Sequence, residues 1–266
     1  MNLKLITDIA RSLLLARWKQ TLVAAIGVTF SITMFIALLS FMNGLNDLLD
    51  GLVLNRTPHV RLYNEAKPNE RQPVNRYKDF RSSYNFIRSV KAGANRQELY
   101  NSSAILATLS KDERVLGYAP KITSQVFFNA GTNDITGVIN GIDVEEDVRL
   151  FHFKDYVTSG EAIDINKTSN SIILGKGLAE KLLANLGDVV QLTTAGGERF
   201  PLKIVGYYQS GIADFDKVQS FASVKTVQKI MGKPGNYITD IQVKLKDMNK
   251  APAMAKEYSR LFQCDA

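Results

Sequence analysis

The hydrophobic positions of this chain change period along its length. From Thr21 to Asn46 there is no charged residue at all (TLVAAIGVTFSITMFIALLSFMNGLN), and the most apolar part runs for 22 residues, Thr21 to Met42. As a helix that part spans ~33 Å, enough to cross a hydrocarbon core of ~30 Å. Buried helices of water-soluble domains are rarely so long and so free of charge, so the pattern predicts a transmembrane helix. A cleavable signal would need a shorter run closed by a small-x-small site. Leu38, Leu39, Phe41 and Met42 occupy those places, which predicts a retained anchor. Gly27, Ser31 and Thr33 are small residues within it, suited to close packing against other membrane helices. Ahead of it, Leu5, Ile9 and Leu13 recur at i+4, flanked by Ile6, Ala10 and Leu14, with Lys4, Asp8 and Arg11 toward the other side. That pattern predicts an amphipathic helix over residues 3–18 lying along the membrane surface; a plain cytoplasmic extension of the span is the alternative.

After the span the periods shorten. Thr57 to Tyr63 reads as a strand with Val60 and Leu62 on one face, and the polar, proline-bearing residues 64–79 as a surface loop. Helices are predicted around 80–92 and 95–110, then strands near 114–128 and 134–141. Ser171 to Leu174 reads as a short buried strand, turning at Gly175-Lys176-Gly177 into a helix marked by Leu178, Leu182 and Leu186 and ended by Gly187. Two strands, Asp188–Thr194 and Glu198–Tyr207, flank Ala195-Gly196-Gly197 as a hairpin. A strand at Phe221–Val224, a helix carrying Val227, Ile230 and Met231, a strand at Tyr237–Leu245 and an amphipathic helix over 249–262 complete the order. The expected fold class is α+β: ferredoxin-like βαβ halves flanking an inserted β-rich subdomain at about 130–217. The domain reading is an amphipathic cytoplasmic helix at 1–20, the transmembrane helix at 21–46 and an exposed domain at 47–266.

Charge orients the span. Residues 1–46 carry +3, with Arg11, Arg17 and Lys19 before the apolar run and Asp47 and Asp50 after it. The positive-inside rule therefore predicts a cytoplasmic amino terminus and an external domain. The whole chain carries +7, so residues from 47 onward carry +4. Taken as a whole that near balance resembles a solvated surface and argues against a nucleic-acid partner.

No catalytic, cofactor-binding or metal-binding residues emerge. Gly175-Lys176-Gly177 and Gly232-Lys233-Pro234 lack the rest of a phosphate loop. His59 and His152 stand far apart in no metal-ligand spacing, and the single cysteine, Cys264, has no recognisable base near it. Glu145, Glu146 and Asp147 form one carboxylate cluster, and Asp214 and Asp216 another. They read as a solvated helix start and a loop, not as an acid/base pair.

The run SIILGKGLAEKLLANLGDVVQLTT, followed by FPLKIVGYYQSGIADFDK, resembles the external domain of bacterial ABC-transporter permeases of the LolC/LolE lipoprotein-releasing, MacB and FtsX superfamily. IARSLLLARWKQTLVAAIGVTFSITMFIALLSFMNGL resembles that family's amphipathic helix and first span, TPHVRLY its first external strand, and Tyr118-Ala119-Pro120 with Asn140-Gly141-Ile142-Asp143 its middle. The resemblance covers most of the chain. It implies a MacB-like periplasmic domain and a non-enzymatic permease subunit of the inner membrane. It also implies a cytosolic ABC ATPase and a second permease subunit as partners, with a periplasmic carrier or lipoprotein as a further one. ATP hydrolysis in the ATPase would be coupled to periplasmic movement, in lipoprotein release or in export of a lipid or peptide. The family's proteins have three further spans, so the chain is expected to be a fragment. The lipoprotein-releasing members carry a longer insertion in the hairpin that is only Thr194–Glu198 here, which leaves the cargo open. A membrane-anchored periplasmic binding or sensor module, and a tethered external enzyme, are the alternative readings.

Overall fold

The computed structural model describes residues 3–49, 57–65, 73–80, 82–86, 97–130 and 133–266. They form two compact units, 1–55 and 56–266.

The first unit is helical: α1 (Leu3–Ala16) and α2 (Trp18–Leu49) are separated by a turn at Arg17. At 32 residues α2 outlasts the uncharged run at its N-terminal end, because Trp18, Lys19 and Gln20 continue the helix without a breaker. It is long and apolar enough to cross a membrane, and none of its apolar stretch is buried. The Thr21 hydroxyl lies 3.2 Å from both the Leu14 and the Arg17 carbonyl oxygens. It thereby links the last turn of α1 to the first turn of α2.

The second unit is built on one nine-stranded mixed sheet. Its strands are β1 (Val60–Tyr63), β2 (Val115–Ala130), β3 (Asn133–Ile142), β4 (Val157–Gly160), β5 (Ser171–Gly175), β6 (Val189–Thr194), β7 (Arg199–Tyr208), β8 (Gln219–Ser223) and β9 (Asp240–Leu245). They lie in the order β1-β9-β2-β3-β8-β5-β7-β4, and β6 pairs with both β2 and β7. The short α3 (Pro73–Arg76) and α4 (Ser102–Leu109) come before β2. α5 (Val144–Phe151), α6 (Asp164–Lys167), α7 (Lys176–Leu182), α8 (Ala213–Asp216), α9 (Val224–Ile230) and α10 (Ala251–Phe262) follow. β1 and β2 both run antiparallel to β9, which lies between them. β1-α4-β2 is therefore a split βαβ unit with β9 inserted.

Alternation sorts the faces. Ile241, Val243 and Leu245 of β9 join Val60 and Leu62 of β1 in a core closed by Ile105 and Leu109 of α4 and by Met254 and Tyr258 of α10. Ile122, Ile139, Ile172, Leu174 and Ile204 pack beneath Leu178 of α7 and Val227 and Ile230 of α9. Ile142, Ile173 and Phe221 turn the other way, toward Val144, Phe153 and Ile165. Burial of a Leu- or Ile-sized side chain is worth ~1.5–3 kcal/mol, so helices on both faces of the sheet are held chiefly by these rows.

Several elements differ from expectation. Residues 82–86 are not helical: Phe80 accepts the Ser83 amide at 3.2 Å and the Asn85 side-chain amide at 2.9 Å, a local alternative to helical bonding. Residues 87–92 of that expected helix lie outside the described residues. The helix expected from 95 starts at Ser102, because the Leu99 amide donates instead to Ile238 at 2.9 Å. Part of the expected 64–79 loop is the helical turn α3. The helix after Gly177 stops at Leu182, where Leu183 takes a left-handed conformation (φ 52°) and returns its amide to Ala179 and Glu180. β9 begins at Asp240, since Tyr237 is occupied in a turn closed on Pro234.

Candidate functional site

Polar groups converge where α5 covers the sheet. Alternation leaves Asp240, Gln242 and Lys244 of β9 on the face opposite Ile241, Val243 and Leu245, with Lys121 of β2 registered against Asp240. α5 is seated there, its Leu150 and Phe151 packed with Ala119 of β2. It starts at Asp143, whose carboxylate accepts the Glu146 amide at 3.4 Å, and carries Glu145, Glu146 and Asp147 in its first turn. At its other end the Lys244 ammonium donates to the Leu150 carbonyl oxygen at 2.8 Å and stands 5.5 Å from the Phe151 ring centre. Carboxylates at the positive end of the helix dipole and an ammonium at the negative end both favour this seating. Burial pushes the Lys244 ammonium pKa down.

Two carboxylates are drawn inside. Asp147 is 8% exposed, and desolvation is the main cause that pushes its carboxyl up to about 7. Lys121 opposes that rise, while Asp143, Asp240 and Glu146 add to it. Asp240 is 1% exposed. Its Oδ2 meets Arg61 at 3.3 Å, and its Oδ1 has no hydrogen-bond partner among the described residues. The raised carboxyl of Asp147 can hold or release a proton near neutrality. Chemically it offers no activated nucleophile, and no group of His, Cys, Asp and Glu suited to a metal ion occurs among the described residues.

The carboxylate cluster at 145–147 thus splits. Glu146 pairs with Arg149 on the surface, Glu145 is exposed, and Asp147 goes inward, contrary to the expected solvated helix start, because position 147 faces the sheet. Asp214 and Asp216 also part: Asp214 pairs with Lys217 at 3.0 Å, while buried Asp216 accepts both the amide and the hydroxyl of Ser210 at 2.8 Å. His59 accepts the Leu245 amide on Nδ1 at 3.1 Å, a backbone-capping role. Cys264 is buried and its thiol is pushed up to about 11, chiefly by burial, which keeps it unreactive. Gly175 permits close packing: a Cβ there would stand 2.2 Å from the Asp216 carbonyl oxygen. Asp240 and Lys244 escaped the sequence reading because the alternation in DIQVKL reads as a strand with one solvated face. Beside α5 lies an open groove of about 520 Å³ lined by Val144, Val148, Val157, Ala162 and Ile163, with Glu145, Lys154 and Glu161 also on its wall.

A family model, the MacB-like periplasmic core domain, matches residues 21–261. The lipoprotein-releasing system transmembrane protein LolC of Neisseria meningitidis serogroup B is 24% identical over 257 residues, covering 92% of this chain and 54% of the relative. The chain therefore spans about half the length of that curated relative. Among solved structures, the extracellular domain of the noncanonic ABC-type transporter YknZ from Gram-positive bacteria aligns with a TM-score of 0.48 at 17% identity. That match covers 64% of this chain and 85% of the other. The periplasmic region of MacB from Actinobacillus actinomycetemcomitans aligns with a TM-score of 0.48 at 15% identity, covering 76% and 83%.

Proposed function

The chain belongs to the MacB-like periplasmic core domain family, ABC-transporter permeases of the LolC, MacB and FtsX type, and on that premise we propose that it is a mechanical subunit that relays cytosolic ATP hydrolysis to an external domain. The observation that carries this reading is that one family match runs from the apolar helix through the whole α+β unit, residues 21–261. In this reading residues 1–20 lie on the cytoplasmic surface and 21–46 cross the inner membrane. Residues 47–266 are periplasmic, with a β-rich insertion at about 130–217. A separate ABC ATPase binds and hydrolyses the nucleotide, a second permease subunit completes the membrane unit, and the external domain moves a lipoprotein, a lipid or a peptide. The energy for that movement is the difference in contacts between the two nucleotide states. α1, the Thr21 joint and α2 form a continuous route for it, and the acid–base cluster under α5 serves packing instead of catalysis.

Two measurements test the proposal. Cysteines at Thr7 and at Ser169, in a chain with Cys264→Ser, are expected to react with an impermeant reagent from opposite sides of the membrane. Labelling from one side defeats the single-span topology. The purified chain is expected to bind no ATP and to stimulate or restrain the turnover of a copurifying ABC ATPase. Saturable nucleotide binding by the chain alone defeats the division of labour.

A further inference from the structure

One wall of the groove beside α5 is an edge strand of the sheet. β4 ends the strand order and, among the described residues, pairs on one side only, with β7. Its Thr158, Ser159 and Gly160 are exposed, so main-chain groups on its far side are open to a further strand. The pairing with β7 shifts register between Val157 and Ser159. Two residues of β4 thus oppose one of β7, and the bulge brings Val157 and Gly160, opposite Tyr208 and Gly206, to the same face. Both line the groove together with Val148 of α5. Gly160 stands at φ +78°, and a Cβ there would lie 2.1 Å from the Val205 carbonyl oxygen. Its rung is thereby kept bare, which leaves room for a side chain brought by a partner.

Charge gives the groove two unlike ends. Lys154 belongs to the 3-10 turn Phe153–Tyr156, which carries the chain from α5 into β4. It is exposed, and among the described residues no carboxylate pairs with it. Glu145 lies in the first turn of α5, and Glu161 directly follows β4. α5 runs into the turn and β4 runs out of it, so the cation stands at one end of both walls and the carboxylates at the other. Glu161 is held 3.2 Å from Lys167, whereas Glu145 is exposed.

We propose that this groove binds the free carboxyl terminus of a partner peptide, laid antiparallel along β4, with its terminal carboxylate on Lys154 and two alternate apolar side chains between β4 and α5. Strand addition supplies main-chain hydrogen bonds, and pockets for alternate side chains supply the choice of sequence. The occupant follows from charge complementarity: antiparallel pairing brings a carboxyl terminus to the start of β4, where Lys154 stands, and basic residues upstream then face Glu145 and Glu161. The groove volume of about 520 Å³ falls within the ~300–1,000 Å³ of ordinary ligand pockets. β4 is short and bulged, devices that stop open-ended pairing, so contact is confined to the partner's last few residues. The site lies wholly within the second unit and stands whether or not the chain serves an ATPase.

The test titrates the full chain, in phosphatidylcholine nanodiscs with empty discs as the blank, into a fluorescein-labelled hexapeptide and reads anisotropy. The peptide ends in valine-threonine-valine, preceded by arginine, arginine and threonine. Saturable binding with a Kd below about 1 mM is expected. Amidating the carboxyl terminus should weaken it by about tenfold or more, the usual cost of a lost bond to a charged group. On a Lys154→Met chain with an unchanged melting temperature, acid and amide should bind alike. Serine in place of both valines should abolish binding, and serine in place of both threonines should not. Successive N–H groups of a strand point to opposite edges, so N-methylation at one of two neighbouring residues should abolish binding while methylation at the other spares it. Absence of saturable binding by the acid overturns the site. Equal binding of acid and amide to the parent chain, or discrimination that survives Lys154→Met, overturns the carboxylate assignment. Full binding by both methylated peptides overturns strand addition. Self-association of the chain that displaces the peptide makes a second copy the occupant and overturns the assignment to a partner's terminus.

Discussion

The ammonium of Lys244 and the carbonyl oxygen of Leu150, 2.8 Å apart, join β9, the strand next to the β1 edge of the sheet, to the last turn of α5. Lys244 is 7% exposed and Leu150 is buried, so neither group has ready access to water. Replacing Lys244 with Met keeps most of the stem and removes the donor. The loss of a charged bond to a buried carbonyl outweighs the relief of a buried charge. Stability is expected to fall by about 1–2 kcal/mol in urea unfolding, with little change in the slope of the transition. An unchanged midpoint would mean that α5 is held by its apolar contacts alone.

Asp147 has a pH signature of its own. Its carboxyl titrates at about 7 in the folded protein, against 3.8 as the ordinary value. Between those two pH values the native state binds more protons than the unfolded state, so this residue makes stability fall as pH rises from about 4 to about 7 and adds no slope above that. Asp112 works in the opposite sense and lower down. Arg114, foremost, holds its carboxyl well below the usual range, so its contribution is present above 3.8 and is lost as the solution becomes more acid. Asp147→Asn is therefore expected to flatten the slope between pH 4 and 7 and to raise stability at pH 8 by on the order of 1–3 kcal/mol. A variant no more stable than the parent at pH 8 would show that the buried carboxylate is already compensated.

How far these features were legible from residues alone depended on the range of the contacts that define them. The long apolar helix α2, Val60 and Leu62 in β1, and the amphipathic α10 could be read because such patterns are local. The seating of α5 could not, since it requires Lys244 to meet Leu150 across 94 positions of sequence. Asp147 was visible as a carboxylate, but its burial depended on which side of α5 meets the sheet. Leu183 defeated the expected helix end because a left-handed leucine is a tertiary choice, without a local propensity behind it. The exposed rings of Tyr84 and Phe86 were hidden by an expected helix, because a run of mixed residues does not reveal that Asn85 will take the Phe80 carbonyl.

The joint at Thr21 yields a prediction for coupling. Its hydroxyl bridges to Leu14 and Arg17 at 3.2 Å each, a back-bonded geometry that bends helices. Thr21→Val keeps the shape and loses the bridge, whereas Thr21→Ser keeps the bridge. With a net hydrogen-bond contribution of about 0.5–1.5 kcal/mol, and on the proposed coupling to an ABC ATPase, Thr21→Val is expected to shift the effect of this chain on that ATPase's activity by roughly two- to tenfold. Thr21→Ser should stay near the parent. Equal behaviour of the two variants would place the coupling elsewhere.

Gly175 is expected to tolerate no side chain, for a packing reason unrelated to phosphate. A Cβ there would stand 2.2 Å from the Asp216 carbonyl oxygen and 2.9 Å from that of Gln219, and both neighbours are backbone. Asp216 cannot retreat without giving up its two bonds from Ser210. Gly175→Ala should therefore cost about 2–4 kcal/mol, in the range for overpacking with loss of buried polar contacts. A melting temperature within a degree or two of the parent would show that the 210–217 segment moves freely.

The hairpin between β6 and β7 supports the finest distinction, between two adjacent glycines. β6 is paired on both sides, with β7 through Val189 to Thr193 and with β2 through Gln191 to Thr194. The strand is thus interior to the pairing, and the tip Thr194–Glu198 closes on itself, Gly197 donating to Thr194 at 2.9 Å. Gly197 sits at φ +86° with open space around it, while Gly196 has no such backbone requirement and a Cβ there would meet only Thr194 Oγ1 at 3.6 Å. Gly197→Ala is expected to destabilise by about 1 kcal/mol, since L-residues are strained at positive φ. Gly196→Ala is expected to be neutral or to stabilise by about 0.4–1 kcal/mol through the unfolded chain. Replacing exposed Glu198 or Arg199 with Ala should leave stability unchanged, and also transport in the proposed function, because a tip of five residues is too small for a stable interface of ~800 Å² per partner. Thermal melts of the four single variants, with transport measured for the last two, decide the matter. Loss of transport by a normally folded Glu198→Ala or Arg199→Ala protein would make the tip a docking site and refute the structural role argued for it.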